Sequence, residues 1–353
     1  MAKISDKILN GKEPIKIGNI SVMSGEYAFY GNWEKNGVDL AAEELNGRGG
    51  INGRLFEIIR EDDQADPVRS MEAISKLIHV DKVYAIIGPM SSDNLVADAP
   101  FAAKNKTVLL SAGASVAAVP DGRGYIFQIF PITSQIGKRL VEAAAQRGSK
   151  TAAIIYINNS YGVDLAKTIR REAPLAGIEI MAVEGYRPDN ENFAGQLARI
   201  KEKNPRAVFI LGYPREMGLI LKQAQKNSLK ADFFAPDTFA APAIKSVAGT
   251  AAEGIIYIMP SDTFTPEFVG NFKKKYGHAP NYIEGLSYDA FNLLALAIGR
   301  GGHDGAKVRD ILLGIKDYQG VSGIITFDEH GNAINRPLAL RTVMEGREVH
   351  LPK

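Results

Sequence analysis

The sequence predicts an α/β protein of two Rossmann-like lobes, each built on a parallel sheet. Short β-rich runs alternate with longer segments of helical period, the pattern of a parallel sheet with helices on both faces. The alternation falls into two series of similar size, and no low-complexity linker divides them. A length of 353 residues also exceeds the usual size of one domain.

The first series opens with a strand over Ile15–Ile20. Residues 32–45 follow as a helix, with Val38, Ala41, Ala42 and Leu45 on one face, and end in the turn Asn46–Gly50. Leu55–Arg60 alternates as a strand. Pro67–Val80 is helical, with Asp66 as N-cap and Pro67 at the first helical position. Val83–Gly88 and Thr107–Leu110 are apolar runs of the kind that form buried parallel strands, separated by a helix over 93–103. The second series places strands at Thr151–Ile157, Ile178–Glu184, Ala207–Leu211, Phe233–Ala235 and Gly254–Met259, among helices at about 133–147, 161–173, 192–203 and 215–227. Tyr282–Ile298 is the longest apolar helix candidate and is expected in a core. Gly320–Phe327 and Pro337–Val343 complete the strands, with a turn at Glu329–Asn332.

Composition narrows the function. The chain is 45% hydrophobic and 23% charged, with a net charge of +2, so no electrostatic footprint for nucleic acid or an anionic membrane stands out. The densest basic run, Lys273–Lys275, reads as a solvated helix face. With no cysteine there is no disulfide, thiolate metal site or Cys nucleophile. The histidines, His79, His278, His303, His330 and His350, are too dispersed for a metal site. Neither a Walker A sequence nor a G-x-S-x-G elbow occurs. The two approximations to a dinucleotide fingerprint, at Gly47–Asn52 and Gly299–Asp304, follow helices and lack the third glycine. No cofactor and no enzymatic reaction are therefore expected. Met1–Asn10 has no apolar core of a signal peptide, which leaves either a cytoplasmic protein or a mature form whose export signal was replaced by a start Met.

Two Ser-rich turns carry the positive signal. Ser91-Ser92-Asp93-Asn94 and Ser111-Ala112-Gly113-Ala114-Ser115 each follow a buried strand, where parallel α/β sheets bind ligands. Hydroxyls and backbone N–H groups at such a junction suit a small carboxylate. Capping of the helix at 93–103 by Ser91 or Ser92 is the plainer alternative. Tyr27, Phe29, Tyr30 and Trp33 follow the first strand, Tyr161 and Tyr213 follow strands of the second series, and Asp237 follows the run 233–235. The aromatics are either core or ligand walls; Asp237 is either a turn residue or a partner for a ligand ammonium group.

The chain resembles the type I periplasmic binding proteins of ABC importers, in their branched-chain amino-acid (Leu/Ile/Val) branch. The resemblance rests on Ile17–Gly25, Asn36–Asp39, Ile51–Gly53, Asp62–Pro67, Ile87–Ser92, Tyr161-Gly162, Gly212–Gly218, Ala252–Gly254 and Tyr288–Ala290, in order along nearly the whole chain. It implies two lobes joined by a three-crossing hinge, 1–131 plus 261–335 and 132–260 plus 336–353. It implies that Ser91, Ala114 and Ser115, with Ser92 beside them, hold a ligand α-carboxylate. Asp237 stands where an acid takes the α-ammonium, often Glu in relatives; Ser115 stands where Thr is frequent. Tyr161 and Tyr213 match aromatic contacts of the second lobe, and Tyr30 an aromatic of the side-chain pocket. Ala65 and Met90 occupy positions where some relatives have a disulfide-bonded Cys pair. Glu284 lies near a position facing the pocket, the alternative being an exposed first-turn glutamate. The expected function is capture of a small amino acid for delivery to the permease subunits of an ABC importer, in an extracytoplasmic compartment. A binder of an aromatic or short-chain carboxylate, and a cytoplasmic amide- or amino-acid-sensing regulator of the same fold, remain the alternatives.

Overall fold

The computed structural model describes residues 12–119, 122 and 124–351; the expectation for Met1–Asn10 lies outside them. The chain divides into two compact units. Residues up to Pro131 together with Asp262–Arg336 form the first, and Ile132–Ser261 with the chain from Pro337 form the second.

The first unit begins β1 (Ile15–Ser21), α1 (Ala28–Gly47), β2 (Phe56–Asp62), α2 (Pro67–His79), β3 (Ala85–Ile87), α3 (Ser92–Lys104), β4 (Leu109–Ser111) and β5 (Ile126–Gln128). Its sheet has the order β2-β1-β3-β4-β5, parallel throughout. β3 and β4 lie inside the sheet and are fully buried, which is why they are short uninterrupted apolar runs. Ile20, Ile74, Leu77, Ile86, Leu95 and Leu109 pack as one core. Asp66 caps α2 as expected, its Oδ1 accepting from Val68 N at 2.9 Å and Arg69 N at 3.0 Å.

The second unit contains α4 (Thr133–Gln146), β6 (Thr151–Ile157), α5 (Ser160–Leu175), β7 (Glu179–Tyr186), α6 (Ala194–Glu202), β8 (Ala207–Leu211), α7 (Pro214–Lys226), β9 (Asp232–Ala235), a 3₁₀ turn at Asp237–Ala240, α8 (Pro242–Ala248) and β10 (Ile256–Pro260). The chain returns to the first unit for α9 (Pro266–Tyr276), α10 (Tyr282–Gly301), α11 (Gly305–Leu313), β11 (Tyr318–Gly320) and β12 (Gly323–Ile325). It ends in the second with β13 (Leu338–Met344) and β14 (Arg347–Leu351). The sheet of the second unit runs β14-β13-β10-β9-β8-β6-β7. It is parallel except at one edge, where β13 pairs antiparallel with β10 and β14 with β13.

α10 is the core helix the apolar pattern predicts, buried along most of its length. It lies so close to α1 that a Cβ on Gly37 would stand 2.2 Å from the carbonyl oxygen of Glu284. The strand expected over Gly320–Phe327 is instead the hairpin β11–β12, turning at Val321 and Ser322. The cause is a tertiary contact. Asp289 on α10 accepts from the backbone N–H groups of both turn residues at 2.8 Å, and from the Ser322 hydroxyl. Arg336 approaches the same tip, donating to Ser322 O at 2.9 Å, Ser322 Oγ at 2.8 Å and Ile324 O at 3.0 Å. Arg336 is the last residue of the first unit before the chain enters β13.

Candidate ligand-binding site

In the first unit the two Ser-rich turns meet. Ser91 is the N-cap of α3, half-buried, with extended backbone (φ −82°, ψ 137°) and no side-chain capping bond. Capping therefore does not account for its hydroxyl. The first-turn N–H groups of α3 have no partner within the helix, as at any helix start. Asp93, also in that turn, is the nearest negative charge by sequence.

The other hydroxyls have local work. Ser92 Oγ accepts from Ser115 N at 3.1 Å and donates to Ser115 O at 3.2 Å, clamping one turn to the other. Ser111 Oγ accepts from Ala114 N at 2.9 Å and donates to Pro89 O at 2.6 Å. Ser115 Oγ donates to Pro131 O at 2.8 Å. The expectation of both serine hydroxyls of the first turn aimed at a carboxylate is thus corrected for Ser92, whose buried hydroxyl is spent on the clamp. Ala114 and Ser115 lie beside it, both buried. Gly113 makes room for Met90: a Cβ there would lie 2.3 Å from Met90 Cε.

Tyr30 lies in the first turn of α1, half-buried. Its ring centroid is 4.3 Å from that of Phe29 and 5.5 Å from that of Trp33, the latter edge-on. Glu284 is not the exposed glutamate of the plainer reading. It is fully buried and forms a capping box at the start of α10: Oε2 accepts from Asn281 N at 2.8 Å, and Glu284 N donates to Asn281 Oδ1 at 3.0 Å. Oε1 accepts from Asn36 Nδ2 at 3.1 Å. Burial pushes its carboxyl above the usual range, against the pull of the Asn281 and Asn36 bonds. Both oxygens are engaged within the first unit.

In the second unit the structure brings Tyr161, Tyr213 and Asp237 together. The Tyr161 hydroxyl donates to Asp237 Oδ1 at 3.3 Å, with both residues 5% exposed. The rings of Tyr161 and Tyr213 are parallel within 7°, centroids 6.4 Å apart. Asn159 ties them: as N-cap of α5 its Oδ1 accepts from Gly162 N at 2.9 Å, and its Nδ2 donates to the Tyr213 hydroxyl at 3.2 Å. Thr238, beside Asp237, donates to Gly212 O at 2.7 Å. Asn159 and Thr238 escaped the sequence reading. An Asn directly before a helix start was the available signal for the first, while nothing local marks the second. Each tyrosine has a glycine neighbour for a packing reason. A Cβ on Gly162 would lie 2.1 Å from Ile157 O, and one on Gly212 1.8 Å from the Tyr186 hydroxyl. A buried carboxylate beside a tyrosine hydroxyl and two aromatic faces is suited to a small ammonium group.

Among the described residues no group of three or more His, Cys, Asp or Glu is placed to hold a metal ion, and no helix is long and apolar enough to cross a membrane.

A family model described as periplasmic binding protein matches residues 14–348. The chain belongs to the periplasmic binding protein family. Its relatives in that family include a leucine-, isoleucine-, valine-, threonine- and alanine-binding protein of Pseudomonas aeruginosa, 27% identical over 92% of this chain and 88% of the relative. A leucine-binding protein of Thermotoga maritima superposes with a TM-score of 0.88 at 28% identity, covering 96% of this chain and 98% of the other. A branched-chain amino-acid transporter substrate-binding protein of Streptococcus pneumoniae, solved with isoleucine, gives 0.85 at 26% identity, covering 96% and 99%. As a periplasmic binding protein the chain is a solute-binding protein of the type that serves ABC transporters, and the two α/β units are the type I architecture.

Proposed function

We propose that this protein captures a small α-amino acid, branched aliphatic in the first instance, and delivers it to the permease of an ABC importer outside the cytoplasm. The observation that carries the reading is the Tyr161–Asp237–Tyr213 group, a buried acid bonded to one of two parallel tyrosine rings. Asp237 takes the ammonium group. The carboxylate goes to the start of α3, to the Ser91 hydroxyl and the first-turn N–H groups, with Ser115 and Ala114 alongside. The names of the relatives support the branched-chain assignment. A ligand that engages groups of both units favours whichever arrangement offers both, and shifts that equilibrium by its differential affinity. Tyr30 faces the ligand side chain in this reading, while Glu284, with both oxygens committed, serves the α10 start. The Phe29–Tyr30–Trp33 cluster favours an aromatic carboxylate as the second reading.

A thermal-shift panel of L-leucine, L-isoleucine, L-phenylalanine and benzoate separates the two, since a ligand at 100 times its Kd adds about 2.7 kcal/mol of stability. For L-leucine, Ser91→Ala with Ser115→Ala is expected to weaken binding at least tenfold by calorimetry, because the Ser91 hydroxyl bond to a charged group contributes about 1.5–3 kcal/mol and loss of the Ser115 bond to Pro131 O loosens the turn beside it. Asp237→Asn is expected to cost at least as much. Unchanged leucine affinity in both variants refutes the assignment.

A further inference from the structure

Behind the start of α3 the first unit buries three carboxyl groups, one on α1, one on α3 and one in the loop after β2, with almost no positive charge to meet them. Glu34 on α1 accepts from Asn19 Nδ2 of β1 at 3.0 Å through Oε2, and the Ser21 hydroxyl of β1 also lies against its carboxyl. Asp63, just past β2, accepts from Ala65 N at 2.9 Å and from Asn94 Nδ2 of α3 at 2.8 Å. Asp98, one turn further along α3, accepts from Ser70 Oγ of α2 at 2.6 Å, and its Oδ1 lacks a partner. All of these side-chain partners are at most 1% exposed. The charged groups that act on them are few. Arg60 acts on Glu34 but is paired with Asp39; Asp62 acts on Asp63; Asp63 acts on both Glu34 and Asp98. Asp93 adds a further negative charge in the first turn of α3.

A carboxylate removed from water without a cation keeps its proton instead of paying for a buried charge. We propose that Glu34, Asp63 and Asp98 form a proton-holding cluster behind the ligand half-site, so that both the stability of the first unit and its affinity for a ligand carboxylate fall as pH rises through neutrality. The binding half of this proposal rests on the assignment of the ligand carboxylate to the start of α3. Asn94 and Asp98 sit four residues apart on one face of that helix, which joins the cluster to the half-site mechanically and electrostatically. Asp98 is six residues from the first residue of α3, about 9 Å along the axis.

Burial pushes Asp98 and Glu34 up to about 7 and raises Asp63 as well. A group with a raised folded-state pKa contributes stability that is fully present below its unfolded value, near 4, and is lost as pH rises through its folded value. The window is therefore roughly pH 4 to 8, with stability falling upward across it. A charge that appears on Asp98 opposes a ligand carboxylate about 10 Å away, an effect of about three- to tenfold in affinity at an effective dielectric of about 25–50.

The test uses the full chain, wild type and Asp98→Asn, with Glu34→Gln as a second variant. Thermal midpoints without ligand are measured from pH 5 to 8.5, and L-leucine affinity by calorimetry at pH 5.5 and 8.5. The wild type is expected to melt several degrees lower at pH 8.5 than at pH 5, and to bind leucine about three- to tenfold more weakly, with both slopes reduced in the variants. An infrared band of protonated carboxylic acid at pH 6 that diminishes in Asp98→Asn supports the same conclusion without requiring that variant to match the wild type in stability. A midpoint that stays flat or rises with pH, or the absence of that band, overturns the cluster. A falling midpoint with pH-independent leucine affinity overturns the link to binding. In that case the Ser91→Ala, Ser115→Ala variant separates the causes: lost affinity leaves the site in place and condemns the coupling, while unchanged affinity means the ligand carboxylate sits elsewhere.

Discussion

Replacing Arg336 with Met tests the contact that turned one expected strand into a hairpin. Arg336 is 7% exposed, and its three hydrogen bonds end on Ser322 O, Ser322 Oγ and Ile324 O. Methionine keeps much of the side-chain volume and removes the charge. The buried carbonyl oxygen of Ser322 and the part-buried one of Ile324 then lose their charged donor, and Asp289, 1% exposed, loses the cation that acts on it. Breaking a buried charge pair from one side costs about 3–5 kcal/mol. The low end applies here, because Asp289 retains the N–H groups of Val321 and Ser322 and the Ser322 hydroxyl. We expect about 3 kcal/mol at pH 7.5. Burial already pushes the Asp289 carboxyl up, and loss of Arg336 pushes it further, so the stranded acid takes a proton more readily as pH falls. The penalty should accordingly be smaller at pH 5. Trp33 is the only tryptophan in the chain and lies on α1 of the first unit, so its fluorescence during urea unfolding reports that unit. Pairing Arg336→Met with Asp289→Asn should recover part of the loss, giving a coupling of at least about 1 kcal/mol. A loss below about 1 kcal/mol, or the same loss at both pH values, refutes the reasoning.

Two further substitutions probe the frame of the same unit. Gly37→Ala places a methyl 2.2 Å from Glu284 O and 2.9 Å from Ser287 Cβ, so α1 and α10 must part. Overpacking of about 1–3 kcal/mol outweighs the gain of about 1 kcal/mol from alanine in a helix, and Trp33 unfolding should show net destabilisation; a more stable variant contradicts the packing account. Asp66→Ala removes the cap from α2 and should lower stability by about 1 kcal/mol, while Asp66→Asn, which keeps the accepting oxygen, should cost much less. Equal losses in the two variants would mean that the charge of Asp66, and not the cap bond, matters.

The site was legible where sequence names a position and illegible where a side chain must choose a partner. Strand ends, the Asp66-Pro67 start of α2 and the apolar length of α10 follow from local chemistry, and the structure has them. The edge strand β14 and the three-residue β5 are too short or too polar to announce themselves. Ser91 and Ser92 look alike in sequence, yet one hydroxyl makes no cap bond and the other closes onto Ser115, twenty-three residues away. Tyr161, Tyr213 and Asp237 could be named singly as residues after strands. That they touch depends on α5, α7 and the turn after β9 converging, which no local pattern encodes.

By itself, then, the sequence determined the alternation of strands and helices, the caps, the absence of thiol chemistry and the ordered motifs of a solute-binding family, because each follows from backbone preference, side-chain periodicity or residue identity. Only the tertiary structure decided where hydroxyls and carboxylates spend their hydrogen bonds. It set Ser92 on the clamp, Glu284 in a capping box, Asp237 against the Tyr161 hydroxyl, and Glu34, Asp63 and Asp98 in the interior without a cation paired to any of them. The physical reason is that a polar group is defined by the partner and the dielectric around it, and both are supplied by residues distant in the chain.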